Sequence, residues 1–273
     1  FSADAEAAGQ QAHVNGKVRY DTGAPYLDLH VASDSFDPSK VLKDIPYEGA
    51  AAVKAHVTGT AADPVVDGTV RVASGTAAGI PFANARAHVR YEDGRVSLQD
   101  VALNAFGGTA RGEGVFSPAD LTYTAHLAAS DIDVQQAAAY VPELADLTGR
   151  ISCNMGISGK GSDTSDLQAY GSAELKNGSY KDLPIESLAA SFFAQGKDIT
   201  IDYASLNLPH RSTLGIEGKV KDGSSLDLAF YGGHVDLSLV RTLIPEADVT
   251  GFGDFEGTVQ GDITDPAVNF KFT

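Results

Sequence analysis

Strand edges, glycines and prolines return along this chain at a spacing of about one hundred residues. Val57-Thr58-Gly59 recurs as Ile157-Ser158-Gly159 and again as Val259-Gln260-Gly261. Gly68-x-Val70-x-Val72-x-x-Gly75 returns as Gly171-x-Ala173-x-Leu175-x-x-Gly178, and Ile80-Pro81-Phe82 as Leu183-Pro184-Ile185. Val96-x-Leu98 returns as Ile199-x-Ile201, and Val101-x-Leu103 as Ala204-x-Leu206. These four matches share one offset of 103 residues; Pro142 meets Pro245 at the same offset, and Gly149 meets Gly251 one residue short of it. A period this long predicts supersecondary units stacked on a continuous core rather than one closed catalytic domain.

The repeat sets the expected boundaries. Residues 1–10 are a small-residue lead-in, 11–59 the back half of a unit, 60–159 and 160–261 two full units, and 262–273 the start of another. Gly261-x-x-x-Asp265-Pro266 copies Gly59-x-x-x-Asp63-Pro64, and neither end carries the polar capping repeat of a complete array. The chain therefore reads as a piece of a longer protein, all of it one continuous β domain.

Composition narrows the function classes. A net charge of −16 argues against nucleic acid and against electrostatic docking on anionic lipid, since both require clustered Lys and Arg. No run reaches the roughly 18–20 apolar residues of a membrane-spanning helix. Cys153 stands alone, which rules out a disulfide framework and a zinc quartet.

Apolar and polar residues alternate with period two, the pattern of antiparallel strands with one dry and one wet face. Val70 and Val72 oppose Thr69 and Arg71; Ala83, Ala85, Ala87, Val89 and Tyr91 oppose Asn84, Arg86, His88 and Arg90. Leu121, Tyr123, Ala125 and Leu127 oppose Thr122, Thr124 and His126; Ile151, Cys153, Met155 and Ile157 oppose Ser152 and Asn154. Asp93-Gly94, Asn177-Gly178 and Asp222-Gly223 fall where hairpin turns are needed. About sixteen strands result, which at the usual ~4.8 Å between neighbours stack to roughly 75 Å. One short amphipathic helix per unit is predicted, opened by Asp37, Asp133 or Asp236 as N-cap and closed by Pro46, Pro142 or Pro245. The fold class is mainly β: a long curled antiparallel sheet forming a trough.

The stretch Tyr91-Glu92-Asp93-Gly94-Arg95-Val96-x-Leu98-x-x-Val101-x-Leu103, followed by Gly107-Gly108-Thr109-Ala110-x-Gly112-x-Gly114, resembles the repeat hallmark of the AsmA/TamB superfamily. Leu175-x-Asn177-Gly178-Ser179-Tyr180-x-x-Leu183-Pro184-Ile185 and Leu147-Thr148-Gly149 are similar to it as well. The second unit departs from the pattern, with His210-Arg211-Ser212 where Gly-Gly-Thr is expected. The resemblance implies a periplasmic trough belonging to a parent anchored in the inner membrane of a diderm bacterium. It further implies a conduit carrying phospholipids toward the outer membrane, or a scaffold that assists outer-membrane protein assembly with a barrel partner related to the barrel-assembly machinery.

No enzyme, cofactor or metal is expected. The seven His residues form no HxxxH, HxH or H-x-E pair, and His30, His88 and His126 fall on the polar parity. Asp131-Ile132-Asp133 and Asp163-Thr164-Ser165-Asp166 lack the closing Glu of a calcium loop. Gly159-Lys160-Gly161 lacks the P-loop spacing, Gly251-x-Gly253-x-x-x-Gly257 misses the dinucleotide fingerprint by one residue, and no G-x-S-x-G elbow occurs. The apolar face remains the candidate site, for phospholipid acyl chains. Its expected lining is Val70, Val72, Val89, Tyr91, Val96, Leu98, Val101, Leu103, Leu121, Tyr123, Leu127, Ile151, Met155, Ile157, Leu175, Ile199, Ile201, Leu226, Leu228 and Phe230.

Overall fold

The computed structural model describes every residue except 8, 21–23, 41–46, 78, 162–163, 244–248 and 273. The described residues form eighteen strands, two more than the alternation suggests, and the chain divides into a unit of residues Phe1–Leu127 and a unit of residues Ala128–Thr273. The first unit holds β1 (Ser2–Ala7), β2 (Gln10–Arg19), β3 (Tyr26–Phe36), β4 (Tyr47–Glu48), β5 (Ala51–Thr60), β6 (Pro64–Ala77), β7 (Ile80–Glu92), β8 (Arg95–Ala105) and β9 (Gly108–Ser117). β10 (Thr122–Asp133) begins in it and ends in the second unit. After β10 come α1 (Val134–Ala138), β11 (Leu147–Lys160), β12 (Gln168–Tyr180), β13 (Leu183–Gln195) and β14 (Asp198–Leu208). β15 (Ser212–Lys221), β16 (Ser225–Asp236), α2 (Val240–Leu243), β17 (Phe252–Asp262) and β18 (Ala267–Phe272) complete the chain.

Each unit is an antiparallel meander. In the first, β1 pairs with β2, β2 with β3, β3 with β5, and then each strand with the next through β9, while the two-residue β4 sits on β6. In the second, β11 through β18 pair strictly in order. Two turns are as the sequence predicts: Asp93-Gly94 joins β7 to β8, and Asp222-Gly223 joins β15 to β16, with all four residues in the left-handed region. Asn177-Gly178 is not a turn. It lies inside β12, where a Cβ on Gly178 would come within 2.2 Å of the Thr148 carbonyl, so glycine permits close approach of β11. The turn itself falls at Lys181-Asp182, between β12 and β13.

The register holds an irregularity that period-two reading misses. Val96 and Leu98 have even numbers, Val101 and Leu103 odd, so a regular strand would point the two pairs to opposite faces. The pairing of β8 with β9 shifts between Leu98 and Val101, with Asp100 left-handed, and this bulge returns both pairs to one side. The same shift occurs in β14 between Ile201 and Ala204, and it keeps Ile199, Ile201, Ala204 and Leu206 together.

Three aspartates open short helical turns. Asp133 accepts from the amides of Gln135 and Gln136 at 3.0 and 3.3 Å and caps α1. Asp37 accepts from the amide and hydroxyl of Ser39, before a 3-10 turn over Pro38–Lys40. Asp236 accepts from the Ser238 amide at 2.9 Å, before a 3-10 turn over Leu237–Leu239 that runs into α2. Pro142 does not end a helix as expected; it starts a 3-10 turn over Pro142–Leu144, a first-turn position where its missing N–H costs nothing. Val41, Leu42, Ile45 and Pro46 of the first expected helix, and Ile244 and Pro245 of the third, lie outside the described residues. The His210-Arg211-Ser212 departure also resolves: His210 and Arg211 are left-handed, and a 2.6 Å contact from His210 Nδ1 to Asp236 Oδ2 braces them.

Burial is unevenly distributed. Val134 of α1 packs with Leu175, Leu183, Ile185 and Leu208, and Leu144, Leu147, Ile151, Leu188, Leu206, Leu214 and Leu239 surround them. Among the described residues only ten apolar side chains are buried. Apolar contact therefore stabilises one end of the second unit's sheet far more than the rest. Leu175→Ala should cost about 2–5 kcal/mol in urea unfolding, the loss typical of a sealed core leucine. Leu98→Ala, at a side chain already partly in water, should cost no more than about 1 kcal/mol; equal losses at the two sites would contradict this division.

Candidate functional site

Directly paired residues of antiparallel strands share a face, so the strand register assembles one apolar face within each unit. In the first unit Val53, Val70, Ala87 and, through the diagonal next pair, Val89 and Leu98 follow one another across β5 to β8. Val66 leads likewise to Tyr91, Val96 and Phe116, and Val101 and Leu103 face Gly112 and Ala110 of β9. A Cβ on Gly114 would meet the Ala125 Cβ at 3.3 Å, which puts Ala125, and with it Tyr123 and Leu127, on the face of Leu98. In the second unit Ile151 pairs with Leu175 and Leu175 with Leu188, while Met155 leads through Gly171 to Phe192 and Ile201. Ile199 leads through Val220 to Leu226, and Ile201 through Gly218 to Leu228; Phe230 lies beside them on β16.

Nineteen of the twenty expected lining residues thus lie on the apolar faces of their own units, and Leu121 does not. It falls in the left-handed turn before β10, 51% exposed, because the hairpin from β9 ends one residue later than the alternation suggests. The nineteen differ in access. Leu175 is 1% and Val72 6% exposed, and Ile151 packs against the cluster under α1. Leu98, Leu127, Ile157 and Ile199 are 39–41% exposed. The second unit's apolar face is sealed at the end where α1 and the 3-10 turns sit, and open toward the other end of its strands. Val14, Leu29, Val31 and Val57 of the first unit and Ile216, Val220 and Val259 of the second also belong to these faces, and their alternation could have found them.

The opposite face of the first unit is charged and internally paired. His88 Nε2 lies 3.0 Å from Asp67 Oδ1, Arg90 reaches the other Asp67 oxygen at 3.4 Å, and Arg90 also grips Glu92 at 2.7 Å. One strand pair away, His56 Nε2 lies 2.8 Å from Asp28 Oδ1, and the His30 and His56 rings stack at 4.3 Å. The His56 hydrogen bond, then the positive charges of His56, His30 and Lys17, hold the Asp28 carboxyl below its usual range; His88 and then Arg90 do the same for Asp67. A depression of about 590 Å³ in the second unit is lined by Glu217, Tyr231, Glu256, Asn269 and Lys271 together with Phe230 and Phe270.

Among the described residues the side chains that share the apolar faces are mostly aliphatic and aromatic. No family model, curated protein or solved structure matches the chain.

Asp67 sets a pH test for the polar network. A carboxyl with a depressed folded-state pKa adds stability that is fully present above its unfolded value, 3.8, and is lost as pH falls through the folded one. Asp67→Asn should therefore melt below the wild type at pH 6, and the gap should narrow progressively as pH falls below 3.8. A gap that keeps its size however far the pH is lowered while the chain stays folded would show that the carboxylate charge contributes nothing.

Proposed function

We propose that the open apolar faces hold phospholipid acyl chains and pass them along the sheet, with headgroups left in water. The observation that carries this reading is the exposure of Leu98, Leu127, Ile157 and Ile199 on faces where the register assembles aliphatics strand after strand. Each methylene withdrawn from water stabilises the bound state by about 0.8 kcal/mol, so such a face binds acyl chains without a specific pocket. A net charge of −16 disfavours anionic ligands generally, which leaves the tails as the part of a lipid that is bound.

The resemblance to AsmA/TamB proteins supports the same reading. It supplies the setting as part of the proposal: a periplasmic trough of a longer, inner-membrane-anchored protein working beside an outer-membrane barrel partner. The 103-residue repeat belongs to the proposal too. Bulges after Leu98 and after Ile201 stand at that offset, and so do the strands that carry them. Repeated units give neighbouring stretches of a face similar affinity, and movement along it then meets no deep trap.

The test is lipid analysis of the purified chain by mass spectrometry, with phospholipid transfer between donor and acceptor vesicles. Leu103→Asp with Ile201→Asp puts carboxylates where no partner offsets their desolvation. Loss of co-purified phospholipid and at least a tenfold slower transfer is expected, the factor that about 1.4 kcal/mol represents. A folded double variant that binds and moves phospholipid at the wild-type rate would rule the conduit out.

A further inference from the structure

The polar face of the first unit brings together three metal-ligating side chains that no linear motif announces. Asp28 and His30 are two residues apart on β3 and so point to the same side, and His56 of β5 stands directly opposite His30. One ligand atom from each lies within 4.8 Å of the other two. Some point then lies within about 2.8 Å of all three, so closing to zinc bonds of roughly 2.0–2.2 Å takes under about 1 Å of side-chain movement. Asp28 and His56 are half exposed, and no chain segment has to open for an ion to enter.

We propose that Asp28, His30 and His56 bind a divalent transition-metal ion of the zinc class, with water completing the coordination. Two imidazoles and one carboxylate are a borderline donor set that suits zinc, copper and nickel over calcium or magnesium. The 2.8 Å contact of His56 Nε2 with Asp28 Oδ1 marks the place, since a cation can replace the proton these two groups share. The surroundings are mixed in sign. Lys17 pairs across from Asp28 on β2 and opposes a cation; Asp67, opposite His56 on β6, favours one but is already engaged by His88 and Arg90. Asn15 and Thr58, the remaining cross-strand neighbours, are neutral. The second His–Asp pair of this face, His88 with Asp67, has Arg90 on the carboxylate and no second imidazole, so it serves as an internal control.

A bound ion would clamp β3 to β5, strands that are not joined by a tight hairpin, and would raise the melting temperature by an amount that grows with the logarithm of free ion over Kd. The site lies on the face turned away from the proposed acyl-chain surface, so its test is independent of that proposal. Zinc chloride titrated by calorimetry into the metal-stripped chain should give a single saturable site. His30→Ala, His56→Ala and Asp28→Asn should each weaken it at least about tenfold, the lower end of what even an outer-sphere partner contributes. His88→Ala should cause no loss of binding. If His56→Ala does not fold, the other two substitutions decide. Absence of saturable binding, or a loss in His88→Ala as large as in His30→Ala, would overturn the proposal.

Discussion

The ladder of backbone hydrogen bonds between consecutive antiparallel strands carries this structure, because the buried apolar contacts that normally organise a domain are concentrated in one place. A buried core forms where α1 and the neighbouring 3-10 turns close over Leu175, Leu183, Ile185 and Leu208. Elsewhere strands hold their neighbours through paired N–H and C=O groups and through cross-strand side-chain pairs, each worth roughly 0.2–1 kcal/mol. Register is then the quantity that matters most. A slip of one residue in any strand would send its aliphatics to the charged face and its charges to the apolar one.

The bulges after Leu98 and after Ile201 follow from that requirement. They add local twist and unpair a residue or two, yet they keep both aliphatic pairs of β8, and both of β14, on the same side. The aspartates that open the helical turns serve the sealed end of the second unit in a related way. Asp133 satisfies first-turn amides of α1, whose Val134 is fully buried; Asp236 holds Ser238 and His210 and thereby the left-handed entry into β15. Among the described residues the open end carries no buried cluster like the one under α1, and Ile157 and Ile199 stay about 40% exposed there, which is the physical ground for reading it as a binding surface.

Much of this was legible in the sequence because alternation is a local signal. Val70, Val89, Met155 and Leu228 fall on apolar faces, as period two requires. What escaped depends on residues distant along the chain. Asn177-Gly178 has the composition of a hairpin turn, but the approach of Thr148 from β11 decides its role. Leu121 continues the parity of Tyr123, but the turn takes it. That Leu175 is sealed while Leu98 is open follows from where α1 packs, which no window around either residue contains. His30 and His56 are 26 positions apart, and only the pairing of β3 with β5 brings them face to face.

Photocrosslinking to phospholipid tests the central claim most directly. A benzoylphenylalanine at Leu98 or at Ile157 would report what touches the apolar faces; one at Arg111 or Asn154 would report the polar faces of the same strands and their neighbours. Illumination of the folded chain with radiolabelled phospholipid should label the protein through positions 98 and 157 and leave 111 and 154 unlabelled. Labelling of equal strength at all four positions, or stronger labelling from 111 and 154, would contradict the account.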